Sequence, residues 1–251
     1  MDIFYWEMEA LILAAGYGSR LRRHLGIPKY FIDIHGYPLI YYPYYSLSKA
    51  GISKIHFIFN LETYSLFREV EDLFNLAEIE VLVNPYPELD NGYTLVYGLS
   101  QVGIYPIIVS VSDHIYPYTI ISNLLSSINS FNDADFMVVG DSSPDYVDVD
   151  EATKILVASG KIKAIGKTLS RYTYIDMGIF LFNPSFRRYV DPSYMEPYTI
   201  NDFLNRVLSL GGIGRVLPNK GLPWKDVDTL DDYNLVSKQL FKGIFRPYFK
   251  V

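Results

Sequence analysis

LILAAGYGSRLRRHLGIPK (residues 11–29) joins a short apolar run to three glycines, three arginines and a proline–lysine pair. The almost wholly apolar stretch from Ala10 to Ala15 fits a strand buried on both faces, as in a parallel sheet. Gly16 and Gly18 follow it directly. Glycine lets the backbone turn tightly, and successive N–H groups in such a turn form a concavity for anions. Open α/β sheets bind ligands beyond the carboxyl ends of their strands, which is where this loop falls. No acidic residue lies between Ala10 and Ile32, although the whole chain carries a formal charge of −6. Local positive charge on an acidic background suits a small anionic ligand and argues against nucleic acid as a partner.

The residues exclude three familiar glycine loops. The dinucleotide fingerprint needs a third glycine where Leu21 stands, and no glycine–lysine–Ser/Thr ending follows for a Walker loop. A nucleophile elbow needs serine where Gly18 stands. What remains is a glycine turn followed by Arg20 and Lys29. Arginine offers a planar fork of donors to phosphate oxygens, and lysine a mobile point charge, so the two together neutralise a triphosphate.

Composition bounds the rest. At 251 residues, 49% of them hydrophobic, the chain suits one α/β domain with a sizeable core. No apolar run approaches the roughly 18 residues of a membrane span. MDIFYWEMEALIL lacks the basic start of a secretory signal, so the expected location is the cytoplasm. There is no cysteine, which removes disulfides, thiolate zinc sites and cysteine nucleophiles. His24, His35, His56 and His114 are scattered and give little support to a histidine metal site. The tyrosine cluster YYPYY (41–45) reads as a helix start packed on a sheet, or as a subunit contact.

Along the chain, short apolar runs alternate with helical spacing. Strands are expected at 10–15, 54–60, 78–84, 106–113 and 135–140, with helices at 39–50, 62–75, 91–102 and 117–130. That alternation predicts βαβ units and a parallel sheet flanked by helices. The second half differs. TKILVASGKIKAIGK (153–167) reads as a hairpin and YIDMGIFLF (174–182) as a further strand. A helix near 199–210, the strand GRVLP (214–218) and a C-terminal helix near 230–241 complete one continuous domain.

The loop and PKYFIDIHGYPLI (28–40) together resemble the signature of the sugar-phosphate nucleotidyltransferase superfamily. NGYTL (91–95), SVSDHIY (110–116), VDVDEATKI (147–155), IGK (165–167), YIDMGIFLF and WKDVDT (224–229) follow in order. The set is most similar to the archaeal CTP:inositol-1-phosphate cytidylyltransferases, over about Met8 to Tyr233. The resemblance implies a Rossmann-like nucleotidyltransferase fold, mostly parallel, with added antiparallel strands in the second half. Residues 1–7 precede the start it implies and are read as an N-terminal extension; residues 230–251 form a C-terminal helix and tail. Some relatives carry a fused membrane domain; the next step on a CDP-linked product here is expected of a separate membrane enzyme. A homo-oligomer is compatible with the sequence.

The implied reaction is attack of an inositol phosphate oxygen on the α-phosphorus of CTP, or of another NTP, with loss of pyrophosphate. The acceptor is then a phosphorylated polyol or sugar. Its nucleophile is already an anion, so positioning and electrostatics carry the catalysis. The resemblance gives Arg20 and Lys29 to the triphosphate, and Leu13, Ala15, Gly16, Gly18, Asn91 and Gly92 to the nucleotide. It gives Glu151, Lys167 and Asp176 to the acceptor. Mg²⁺ needs hard oxygen ligands; Asp113 and Asp226 match the metal carboxylates, with Asp228 as the alternative to Asp226. Asn91 fits equally as a helix cap, and the acceptor residues fit equally as exposed hairpin or edge-strand groups. SDH (112–114) has the residue types of a hydrolase triad but is discounted, since adjacent side chains on a strand end diverge. Three other classes remain: a sugar-1-phosphate or phosphocholine nucleotidyltransferase, a D-x-D glycosyltransferase, and a non-catalytic nucleotide-binding relative. The glycine–arginine–lysine loop has no task in the glycosyltransferase, and the presence of Arg20, Lys29, Asp113 and Asp226 favours an enzyme over the regulator.

Overall fold

The computed structural model describes residues 8–103 and 105–249, so the extension expected at 1–7 lies outside the described residues. In chain order the elements are β1 (Glu9–Ala14), α1 (Ser19–Leu25), β2 (Asp33–Ile34), β3 (Tyr37–Pro38), α2 (Tyr41–Lys49), β4 (Lys54–Phe59), α3 (Leu61–Val70), β5 (Glu78–Val83) and α4 (Asp90–Val102). Then come β6 (Ile107–Val111), β7 (His114–Ile115), α5 (Tyr118–Ser127), β8 (Phe136–Asp141), β9 (Lys154–Ala158), β10 (Lys161–Gly166) and β11 (Tyr174–Phe182). α6 (Ile200–Ser209), β12 (Gly214–Pro218), β13 (Lys225–Asp226) and α7 (Leu230–Leu235) follow, and α7 continues in wider π-helical turns to Phe245.

Nine strands form one sheet among the described residues. β1 lies between β4 and β6, and β5 flanks β4, all parallel. β11 then runs antiparallel to β6 and carries β8 and β9, with β10 beyond β9 and β12 parallel to β8. This is the expected α/β architecture, a mostly parallel sheet extended by antiparallel strands.

Alternation along the central strands divides the core between the two faces. On β1, Ala10, Ile12 and Ala14 join the cluster that holds α2, α5 and the C-terminal helix, while Leu11 and Leu13 join the cluster with α4 and α6. β1 is apolar at every position because both faces are covered. Tyr41, Tyr42, Tyr44 and Tyr45 are buried in the first cluster, which settles YYPYY as a helix start on the sheet. Pro43 is tolerated there because it falls in the first helical turn.

Three details differ from the sequence reading. The basic loop is partly helical, since α1 runs between two left-handed glycines, Gly18 (φ +58°) and Gly26 (φ +76°). β6 stops at Val111, so Asp113 sits in the turn beyond the strand. The two-residue ladders β2–β3 and β7–β13 are too short to leave a periodic signal.

Candidate active site

The loop after β1 is built for close approach. A side chain at Gly16 would put its Cβ 2.7 Å from the Tyr30 hydroxyl, and one at Gly18 would put it 2.9 Å from Lys29 Cγ. The glycines therefore let Pro28–Tyr30 fold back onto the loop. This carries Lys29 inward, where its side chain is only 14% exposed, while that of Arg20 remains 63% exposed.

Lys29 meets two carboxylates. Its ammonium donates to Asp113 and, at 2.6 Å, to Asp228 Oδ1. Arg20 Nη1 lies 3.8 Å from Asp228 Oδ2. Burial works against the lysine's charge, but Asp113 and Asp228 outweigh it and hold Lys29 well above the ordinary lysine value. Burial likewise opposes the Asp113 charge, and Lys29 with His114 overcomes it, so this carboxyl sits far below its usual range. Lys29 is thus a permanent cation, suited to holding negative charge and unsuited to proton transfer.

The β7–β13 ladder explains how WKDVDT reaches this point. Asp226 pairs in register with His114, and the Val227 N–H donates to the Asp113 carbonyl at 2.9 Å. Asp228 then turns toward Lys29. Asp226 instead accepts from Lys225 Nζ at 2.8 Å, and Lys225 also bonds Asp232. Of the two candidate partners for Asp113, it is Asp228 that shares Lys29 with it.

SDH does not form a triad, but the reason differs from the one expected. Asp113 and His114 do meet, with His114 Nδ1 2.7 Å from Asp113 Oδ1. Ser112 Oγ instead donates to the Leu13 carbonyl at 2.6 Å. The His114 ring stacks on Trp224 with centroids 5.6 Å apart.

Two adjoining cavities open here, sharing Arg20, Asn91, Val111, Asp113, Ile200 and Asp228. The first, about 520 Å³, is walled by Leu13, Ala15, Gly16, Gly18, Lys29, Tyr30, Asp90 and Thr94. The second, about 550 Å³, is lined by Glu151, Lys167, Asp176, Trp224 and Asp226. Every nucleotide candidate except Gly92 lines the first, and all three acceptor candidates line the second. Gly92 makes a different close approach: its N–H donates to the Tyr198 carbonyl, and an added Cβ would lie 2.5 Å from the Thr199 carbonyl oxygen. Asn91 caps a helix, but not its own. Its Oδ1 accepts from the Ile200 N–H at the start of α6, at 2.9 Å.

Burial pushes the Asp176 carboxyl up to about 6, only partly opposed by the Gly178 N–H that donates to it at 2.8 Å. Beside it, β11 is irregular between Asp176 and Phe180, where Gly178 adopts φ +66°. Lys154 is buried without a carboxylate partner among the described residues; its ammonium donates to the carbonyls of Asp150, Ala152 and Lys167. It thereby ties the segment carrying Glu151 to the end of the hairpin. Sequence reasoning passed over Tyr30, Asp90, Lys154 and Trp224, although each adjoins or lies within a motif it had singled out.

Among the described residues, no group of three or more His, Cys, Asp or Glu converges on one point as a metal cage. Asp113 and Asp228 nevertheless already bracket one cation, the Lys29 ammonium. Two hard carboxylates at one point fit Mg²⁺, which usually keeps several waters and binds phosphate oxygens as well.

Residues 9–243 match the family described as nucleotidyl transferase. The chain belongs to that family. As a nucleotidyltransferase it is an enzyme acting on a nucleotide. It is 27% identical over 234 residues to the bifunctional IPC transferase and DIPP synthase of Thermococcus kodakarensis, covering 93% of this chain and 50% of that protein. It is 29% identical over 242 residues to the protein of the same name from Rubrobacter xylanophilus, covering 93% and 52%. The nucleotidyltransferase thus spans about half the length of these relatives. Among solved structures it is similar to the inositol-1-phosphate CTP transferase of T. maritima, with a TM-score of 0.79, 26% identity and coverage of 94% and 97%. It shares the fold alone with HddC from Yersinia pseudotuberculosis, at TM-score 0.73, 18% identity and coverage of 92% and 99%. No helix among the described residues is long and apolar enough to cross a membrane.

Proposed function

We propose that this nucleotidyltransferase is a cytoplasmic, Mg²⁺-dependent cytidylyltransferase that converts CTP and inositol-1-phosphate to CDP-inositol and pyrophosphate. The observation that carries the reading is the pair of cavities joined through Arg20, Asp113 and Asp228. One is glycine-walled and carries Arg20 and Lys29, the groups a triphosphate requires. The other offers Lys167 to a phosphate and Asp176 and Glu151 to hydroxyl groups. The names borne by the similar proteins support cytidine and inositol phosphate as the substrates.

Transfer needs the acceptor phosphate oxygen and the α-phosphorus in line. A bond forms between them, and the bond from the α-phosphorus to the oxygen bridging it to the β-phosphorus breaks, with that electron pair leaving on pyrophosphate. No proton must be removed from the nucleophile, so no general base is assigned. Lys29 and Arg20 bind the phosphate oxygens and stabilise the charge that shifts toward the leaving group. Asp113 and Asp228 would hold the Mg²⁺. When bound, the ion supplies further neutralisation of the phosphate oxygens. Lys167 and Asp176 orient the acceptor.

The test is pyrophosphate release with Mg²⁺ for CTP, UTP, ATP and GTP against inositol-1-phosphate, glucose-1-phosphate and phosphocholine. Release confined to CTP with inositol-1-phosphate is the expected result. Release with another pair would keep the site assignment and move the substrate.

A further inference from the structure

We propose that Asp90 selects the base, accepting a hydrogen bond from the exocyclic amine of cytosine and rejecting uracil. The inference rests on the cytidylyl reading and deepens it.

Asp90 opens α4 and lines the first cavity beside Asn91 and Thr94. An unneutralised carboxylate repels phosphate: Asp113 and Asp228 have Lys29, Arg20 and His114 beside them, whereas Asp90 is exposed with no ion-pair partner among the described residues, so it faces another part of the ligand. The cations that fix the phosphates, Arg20 and Lys29, come from the segment after β1. Asp90 comes from a separate element.

The other carboxylate and side-chain amide oxygens of this cavity are committed. Asp113 serves His114 and Lys29, and Asp228 serves Lys29 and Arg20. Asn91 Oδ1 holds the Ile200 N–H. Asp90 Oδ1 accepts from the Asn91 N–H at 2.6 Å, and its second oxygen has no partner among the described residues. Thr94 Oγ1 is committed as well, donating to the Asp90 carbonyl at 3.2 Å and accepting from Asn84 Nδ2 at 3.0 Å. One strong acceptor on this wall is left for a ligand donor.

The backbone supports a role beyond helix capping. Asp90 has φ +70° and ψ −178°, a conformation that residues with side chains rarely adopt. Glycine would adopt it freely, yet glycine stands two residues later, where packing against Thr199 requires it. At carbon 4 cytosine carries an amine, a donor, whereas uracil carries a carbonyl oxygen. A carboxylate pairs with the first and repels the second, and a site built around such a bond discriminates strongly against an analogue that cannot make it.

The experiment measures kcat/KM for CTP, UTP and dCTP in wild type, Asp90→Asn and Asp90→Gly, with melting temperatures and CTP and UTP binding by calorimetry. The wild type is expected to favour CTP. Asp90→Asn offers both a donor and an acceptor, and should lower the CTP-to-UTP ratio at least about tenfold while leaving the acceptor KM unchanged. Asp90→Gly should lose the same selectivity with an unchanged or higher melting temperature. An unchanged CTP-to-UTP ratio in a folded variant overturns the proposal. So does a loss confined to the CTP-to-dCTP ratio, which would place the carboxylate on the ribose. A wild type indifferent to CTP and UTP would overturn the cytidylyl reading itself, whereas a CTP-selective wild type with insensitive variants would remove only Asp90.

Discussion

Lys29 stands between Asp113 and Asp228, and its cationic state is fixed by those two neighbours. Lys29→Ala removes the buried cation, and turnover should fall by about 10²–10³-fold, the usual cost of losing one preformed charge-stabilising donor. Circular dichroism checks that the fold remains, and near-normal turnover would remove Lys29 from catalysis. The two acids of WKDVDT make separable claims. Asp228→Asn should raise the Mg²⁺ concentration needed for half-maximal activity several-fold, and Asp226→Asn should do so less, because Asp226 is held by Lys225. The reverse order in a metal titration would return the ligand role to Asp226. Asp176 sets a pH dependence. Its folded-state value is raised to about 6, above the roughly 3.9 of an unfolded chain. Between these values the folded chain binds more protons than the unfolded one, so this group's contribution to stability falls as pH rises through about 4 to 6. Asp176→Asn keeps an acceptor for Gly178 and cannot ionise. Its stability relative to wild type should therefore improve by about 1–2 kcal/mol from pH 4 to pH 7, a figure reduced for the partial exposure of the side chain. Parallel denaturation curves for the two proteins at both pH values would contradict this.

The elements meet at the start of α6. Asn91 caps it, the Gly92 N–H bonds the Tyr198 carbonyl, and Ile200 lines both cavities. Gly92→Ala would force a methyl against backbone at Thr199, which cannot rotate away. The expected cost is about 1–3 kcal/mol, read as a lowered denaturation midpoint. KM should rise for both substrates, since the displaced segment belongs to both cavities. A rise for the nucleotide alone would favour Gly92 as a base contact. NGY was legible as a motif, and its glycine as a point of close approach. That the approaching group is the chain 107 residues later was not, because no local pattern reports a contact at that separation. The same limit explains Lys154, whose three carbonyl acceptors become neighbours only when the hairpin has formed.

At the scale of the whole molecule, the parallel half and the antiparallel half share one sheet through the β6–β11 pairing. We propose that they unfold together: far-UV circular dichroism and tryptophan fluorescence should give coincident denaturation midpoints. Two separated transitions would divide the chain at that seam. The sequence by itself determined the order and type of the long elements, because apolar periods of two and 3.6 are local properties of the chain. It also placed Gly16, Gly18, Arg20 and Lys29 within one short segment, because those residues are near neighbours along the backbone. Tertiary structure alone decided that Asp228 rather than Asp226 faces Lys29, since a two-residue ladder with His114 sets the direction of each side chain. It also decided that Asp113 and His114 touch, because Asp113 lies past the end of β6 and strand alternation no longer governs it. A site in which Lys29 meets Asp228 across 199 positions is fixed by how the sheet closes, and sequence spacing carries no record of that closure.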